Sequence, residues 1–107
     1  MSENDNIQDK LLALHAAYTK TLPDKIGHIE SLWQTLQSNW EQNVLDDFHR
    51  EVHSLCGSSA LYGYHLLSAA ARELEIYLKD IPNNKTAHTA EMDKHISQLL
   101  EKLVTAR

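Results

Sequence analysis

The chain has 107 residues, ten basic and fifteen acidic side chains, and a formal net charge of −5 with its histidines neutral. That length suits a single domain over residues 1–107, and 42% apolar residues with only three glycines and two prolines exclude a disordered polymer. No Lys/Arg cluster marks a nucleic-acid binder, no run of about 18 apolar residues marks a membrane span, and the polar, acidic Met1–Asn6 is unlike a secretory leader, so a cytoplasmic protein without nucleic-acid or membrane partners is expected.

Apolar residues recur at intervals of three and four throughout, with no sustained alternation, which predicts helices and no sheet. A first helix over about 4–20 carries Ile7, Leu11, Leu14 and Tyr18 on one face. "TLPD" then predicts a break, because Pro23 disfavours a helical Leu22 and Thr21 can cap a new start. A second helix over about 23–40 presents Ile26, Ile29, Trp33, Leu36 and Trp40, with Gly27 in its first turn. After the polar "EQN", Val44, Leu45, Phe48, Val52, Leu55, Ser59 and Tyr62 trace a third stripe, and Gly63 ends it.

A fourth helix over about 64–80 offers Leu67, Ala70, Leu74, Tyr77 and Leu78 to the core. "IPNNKT" predicts a loop, with Thr86 or Thr89 as caps for a last helix that runs to about Val104 and presents Met92, Ile96, Leu99 and Leu103. Short links make consecutive helices antiparallel. The expected fold is therefore all-α: an antiparallel up-down four-helix bundle with an additional N-terminal helix packed on as a cap. Trp33, Trp40 and the tyrosines are assigned to the core and the bundle ends.

One stretch does not read as core. At about 100° per residue, His53, Gly57 and Ala60 fall together on the side of the third helix away from Leu45, Phe48, Val52, Leu55 and Ser59. An imidazole flanked by a glycine and an alanine stands on a shelf that long side chains would block. Glycine within a helix costs about 1 kcal/mol relative to alanine, so clearance at position 57 has a use. A neutral imidazole, with its ordinary pKa of about 6.5, keeps a lone pair free for attack on phosphorus.

"HSLCGSSALYG" followed by "LLSAAARELE" resembles the histidine phosphotransfer (HPt) domain family. His53, Leu55, Gly57, Ser58, Ser59, Gly63, Leu67, Leu74 and Glu75 match its pattern, all within positions 53 to 75. The resemblance implies a phosphocarrier in two-component signalling and not an enzyme: His53 takes a phosphoryl group from an aspartyl phosphate on a receiver domain of a response regulator or hybrid kinase and passes it to another receiver. It implies no cofactor on this chain, since Mg²⁺ belongs to the receiver. The supporting residues are then Arg50, Cys56, Gly57, Ser58, Ala60 and Gly63. The family usually places lysine three residues after the histidine, near the phosphoryl oxygens, and here that residue is Cys56. Arg50, one turn before His53, is the candidate substitute.

Rival readings are weaker. A helical bundle that docks a receiver or kinase without carrying phosphate would keep the fold and lose the chemistry. His49 and His53, at i and i+4, could share a metal, but a third ligand would have to come from His65 or Cys56, and no metal site is assigned. No nucleotide loop suggests self-phosphorylation from ATP, and Ser58 and Ser59 lack a hydrolase-like triad spacing. Cys56, the one cysteine, closes no intrachain disulfide and is expected as small filler rather than a redox switch. His15, His28, His88 and His95 are expected to face solvent. With no heptad seam and a histidine face to keep free, a monomer is expected.

Overall fold

The computed structural model describes residues 3–81 and 89–106, with side chains from residue 7 onward. Four helices follow in order: α1 (Glu3–Ser38), α2 (Gln42–Leu61), α3 (His65–Lys79) and α4 (Ala90–Thr105), and no strand occurs among the described residues. Each helix packs on the next, and α1 also meets α4. Side-chain pairs fix the directions. Tyr18 meets Ser58 while Trp33 stacks on Phe48, so α1 and α2 are antiparallel. Cys56 meets Ser68 while His53 meets Glu75, so α2 and α3 are too. Lys102 to Glu73 with His95 to Tyr77, and Trp33 to Ser97 with Gln37 to Asp93, give the same result for α3–α4 and α1–α4. The up-down bundle is as expected.

The break at "TLPD" is absent. α1 runs unbroken through Pro23 for 36 residues. Thr21 does not cap a new start; its hydroxyl donates back to the Tyr18 carbonyl at 2.7 Å, a bond that fits within a continuing helix. The reason lies in packing: Tyr18, Leu22, Ile26, Ile29, Trp33 and Leu36 are all buried and follow one helical stripe across the proline. Burying a side chain of this size contributes about 1.5–3 kcal/mol. Two such residues, Leu22 and Ile26, bracket Pro23 and together outweigh its cost of about 3 kcal/mol within a helix. Gly27 accordingly lies mid-helix, not in a first turn.

The N-terminal part is therefore no separate cap. Ile7, Leu11, Leu12 and Leu14 are more than half exposed, and Tyr18 is the first buried residue of α1. At about 1.5 Å per residue the helix runs about 54 Å, most of the molecule's 61 Å long axis.

The core joins the α1 stripe to Leu45, Phe48, Val52, Leu55 and Ser59 of α2, Leu67, Ala70, Ala71, Leu74 and Leu78 of α3, and Ile96, Leu100 and Leu103 of α4. Val44, Tyr62, Tyr77, Met92, Leu99 and Trp40 pack at its edge, half-buried. Gly63 ends α2 with φ of +85°, a conformation that side chains with a Cβ rarely adopt. Its N–H bonds the Ala60 carbonyl at 3.2 Å and the next N–H, of Tyr64, bonds that of Ser59 at 2.8 Å, a Schellman ending that turns the chain into α3. Thr89 caps α4 by accepting from the Met92 N–H at 3.1 Å. The alternative cap Thr86, most of the "IPNNKT" loop and His88 lie outside the described residues.

Candidate functional site

The outer face of α2 carries the shelf. Its inner side is committed by Leu45, Phe48, Val52, Leu55 and Ser59, which leaves His53, Gly57 and Ala60 exposed on the other. The His53 side chain is 70% exposed. A Cβ added at Gly57 would meet nothing within 4 Å, so the space beside the ring is open. Ser59 is buried and donates to the Leu55 carbonyl at 2.6 Å, while Ser58 shares a 2.8 Å hydrogen bond with the Tyr18 hydroxyl. These two serines therefore anchor the late turns of α2 and do not reach His53.

Across the seam, α3 supplies Glu75, a carboxylate only 10% exposed. It meets Nδ1 of His53 directly. An ionised carboxylate only accepts, so the imidazole proton sits on Nδ1 and the lone pair is left on Nε2, the nitrogen away from Glu75. The pair also answers the cost of burying a carboxylate, which a hydrogen-bonded partner must offset. His49, one turn earlier on α2, brings its Nε2 to 3.7 Å from the same carboxylate oxygen, too far for a hydrogen bond, and that nitrogen is buried without a partner. The two imidazoles thus share one carboxylate, and only His53 engages it fully. Asp46, His49, Arg50, His53, Glu75 and Lys79 together line an open depression of about 370 Å³.

A ring nitrogen left free by a buried carboxylate, on a cleared and solvent-facing shelf, is open to approach from outside the bundle. The sequence profile of the Hpt domain family matches residues 13–106, nearly the whole chain. The chain belongs to the Hpt domain family. No curated protein and no solved structure is a significant match. Hpt domains are phosphocarriers of two-component signalling that exchange phosphoryl groups with receiver domains.

This Hpt domain departs from the family pattern at Cys56, and the structure places that side chain in the α2–α3 seam. Its thiol donates to the Ser68 carbonyl at 3.5 Å, and the Ser68 hydroxyl returns a 2.9 Å bond to the Cys56 carbonyl. Cys56 is half-buried filler between helices. Arg50 is exposed at the rim of the depression, but its guanidinium pairs with Asp47 at 3.1 Å. His65 begins α3, well over two turns before Glu75, and is not brought to the His49–His53 pair. Among the described residues no group of three or more His, Cys, Asp or Glu is placed to hold a metal, and no helix is long and apolar enough to cross a membrane. His15 and His95 are exposed yet stack on Tyr64 and Tyr77, at 5.4 and 4.2 Å between ring centres.

The sequence reading matched Glu75 to the family pattern without giving it a task. The hairpin geometry was the available signal: His53 stands ten residues before Gly63 and Glu75 twelve after it, so an antiparallel pair of helices turning there sets them side by side. Lys79, one turn beyond Glu75 on the same helix, follows by the same logic.

Proposed function

We propose that this protein is a phosphorelay intermediate that carries a phosphoryl group on Nε2 of His53. The observation that carries the reading is the contact of the buried Glu75 carboxylate with Nδ1 of an otherwise exposed ring. In the forward step the Nε2 lone pair attacks the phosphorus of a receiver's aspartyl phosphate. The new N–P bond forms as the bond from phosphorus to the aspartyl oxygen breaks, and its electron pair leaves with the aspartate. The Nδ1 proton stays where it is, and the positive charge the ring gains is balanced by Glu75.

Nothing on this chain need move a proton or supply a nucleotide, so its contribution is positioning and electrostatics. Gly57 and Ala60 leave room for the visiting receiver, Ser58, Ser59 and Gly63 hold the helix ending in shape, and the receiver brings Mg²⁺. Return of the group to a second receiver is the reverse of the same step. A cytoplasmic monomer suits this role, since the His53 shelf must stay uncovered.

The test is incubation with a phosphorylated receiver and Mg²⁺. An acid-labile, base-stable phosphoryl group should appear on the wild type and be absent from His53→Gln. Receiver binding without any such group, across several receivers, would favour a docking bundle that carries no phosphate.

A further inference from the structure

Among the described residues, Nε2 of His49 is a buried side-chain nitrogen with no hydrogen-bond partner, and it stands 3.7 Å from the Glu75 oxygen that His53 engages. A hydrogen bond to that oxygen needs about 2.9 Å, so a shift of less than about 1 Å closes the gap. A buried polar atom left unpaired costs stability, and this one faces an acceptor that a proton on its ring would satisfy. The His49 side chain is 35% exposed, so protons from solvent reach the ring although Nε2 is covered.

The surroundings leave Glu75 as the acceptor. The charged or titratable groups facing His49 are Asp46, Arg50 and His53 from α2 and Glu75 and Lys79 from α3, with none from α1 or α4 among the described residues. Asp46 accepts from Gln42 at 2.9 Å and Arg50 pairs with Asp47 at 3.1 Å. With the His49 ring neutral, the 3.7 Å contact is too long to compete and Glu75 serves His53. With the ring protonated, both of its nitrogens donate, and Nε2–H meets the carboxylate with a full positive charge behind it. The same carboxylate oxygen holds Nδ1 of His53, so charge on one ring weakens the hold on the other.

Resting on the reading of His53 as the phosphoryl acceptor, we propose that His49 is a positioning residue that competes with His53 for Glu75: neutral, it leaves the carboxylate to His53, and protonated, it draws the carboxylate off and slows phosphorylation. The ring of His53 gains positive charge as the N–P bond forms, and a carboxylate already paired with a cation balances that charge less well. Acid therefore slows the carrier through His49 as well as through protonation of Nε2 of His53 itself.

The test uses the full chain with phosphoramidate, a small donor whose reaction does not depend on receiver docking, and a phosphorylated receiver in parallel. Initial rates from about pH 8 to about pH 6 are compared for wild type, His49→Leu and His49→Gln, both variants uncharged at residue 49 throughout, with thermal melts of each. Taking the ratio of wild-type to variant rate cancels the pH dependence of the donor and of the His53 nitrogen. That ratio should fall about threefold or more on acidification over this range. Imidazole nitrogen NMR without donor should show His53 titrating in two steps in the wild type and along a single-proton curve in both variants. A purely structural His49 would move the melts and neither of these readouts. A ratio constant with pH, or a single-proton His53 curve in the wild type, would overturn the proposal while leaving His53 as acceptor. Absence of phosphohistidine on the wild type at about pH 8, with either donor, would overturn the acceptor reading and with it the role of His49 in transfer.

Discussion

Glu75 treats the two nitrogens of one imidazole differently: Nδ1 is held and Nε2 is left free. Replacement by alanine removes the acceptor that fixes the tautomer, and transfer from a phosphorylated receiver should fall about tenfold with little change in the melt. Gly57 poses the opposite case, since the space around it is open and it costs the helix about 1 kcal/mol relative to alanine. Gly57→Gln should therefore raise the unfolding free energy by roughly 0.5–1 kcal/mol while lowering receiver-dependent phosphorylation at least tenfold. Paired denaturation and transfer assays check both signs, and a variant as active as wild type would remove the reason for a glycine there. The shelf itself was legible in the sequence because helical angles alone separate His53, Gly57 and Ala60 from the core stripe. The role of Glu75 was not, because it depends on the register between two helices.

Proline statistics mislead at "TLPD" because local preference competes there with a buried stripe. Tyr18, Leu22 and Ile26 belong to one continuous face, and the bundle can bury all three only if α1 stays intact. Pro23→Ala decides between the two arrangements. In a continuous helix the change removes a misfit and should stabilise by about 1–3 kcal/mol in denaturant titrations; at the first turn of a separate helix it would be neutral or destabilising. The same junction carries a titratable group. Burial raises the Tyr18 phenol above its ordinary value of about 10, opposed by its hydrogen bond to Ser58 and helped slightly by Tyr64 and Tyr62. The folded state thus holds this proton more tightly than the unfolded chain, and the contribution is whole below about pH 10 and lost as pH rises through the folded value. Tyr18→Phe should show a shallower loss of stability than wild type between about pH 9 and 11. An equally steep decline would assign the alkaline sensitivity elsewhere.

At the scale of the whole molecule, periodicity was enough for the helices of the bundle and for most of the core, because amphipathic stripes joined by short turns leave few ways to pack. Leu22, Ala71 and Leu100 escaped notice at stripe edges, where a single sequence does not say how wide the buried face is. The N-terminal turns of α1 carry leucines as regularly as the rest, yet Ile7, Leu11, Leu12 and Leu14 stay more than half exposed, although the end of α2 lies beside Leu11 and Leu14. The chain is negative overall, while the depression around His53 is balanced in charge, with Arg50 and Lys79 set against Asp46 and Glu75.

The central claim is that Nε2 of His53, freed by Glu75, receives the phosphoryl group. Phosphorus–nitrogen correlation NMR on the protein phosphorylated by a receiver tests it most directly. The account predicts a single phosphohistidine signal with phosphorus bonded to Nε2 of residue 53, and phosphorus on Nδ1, or on any other residue, would contradict it.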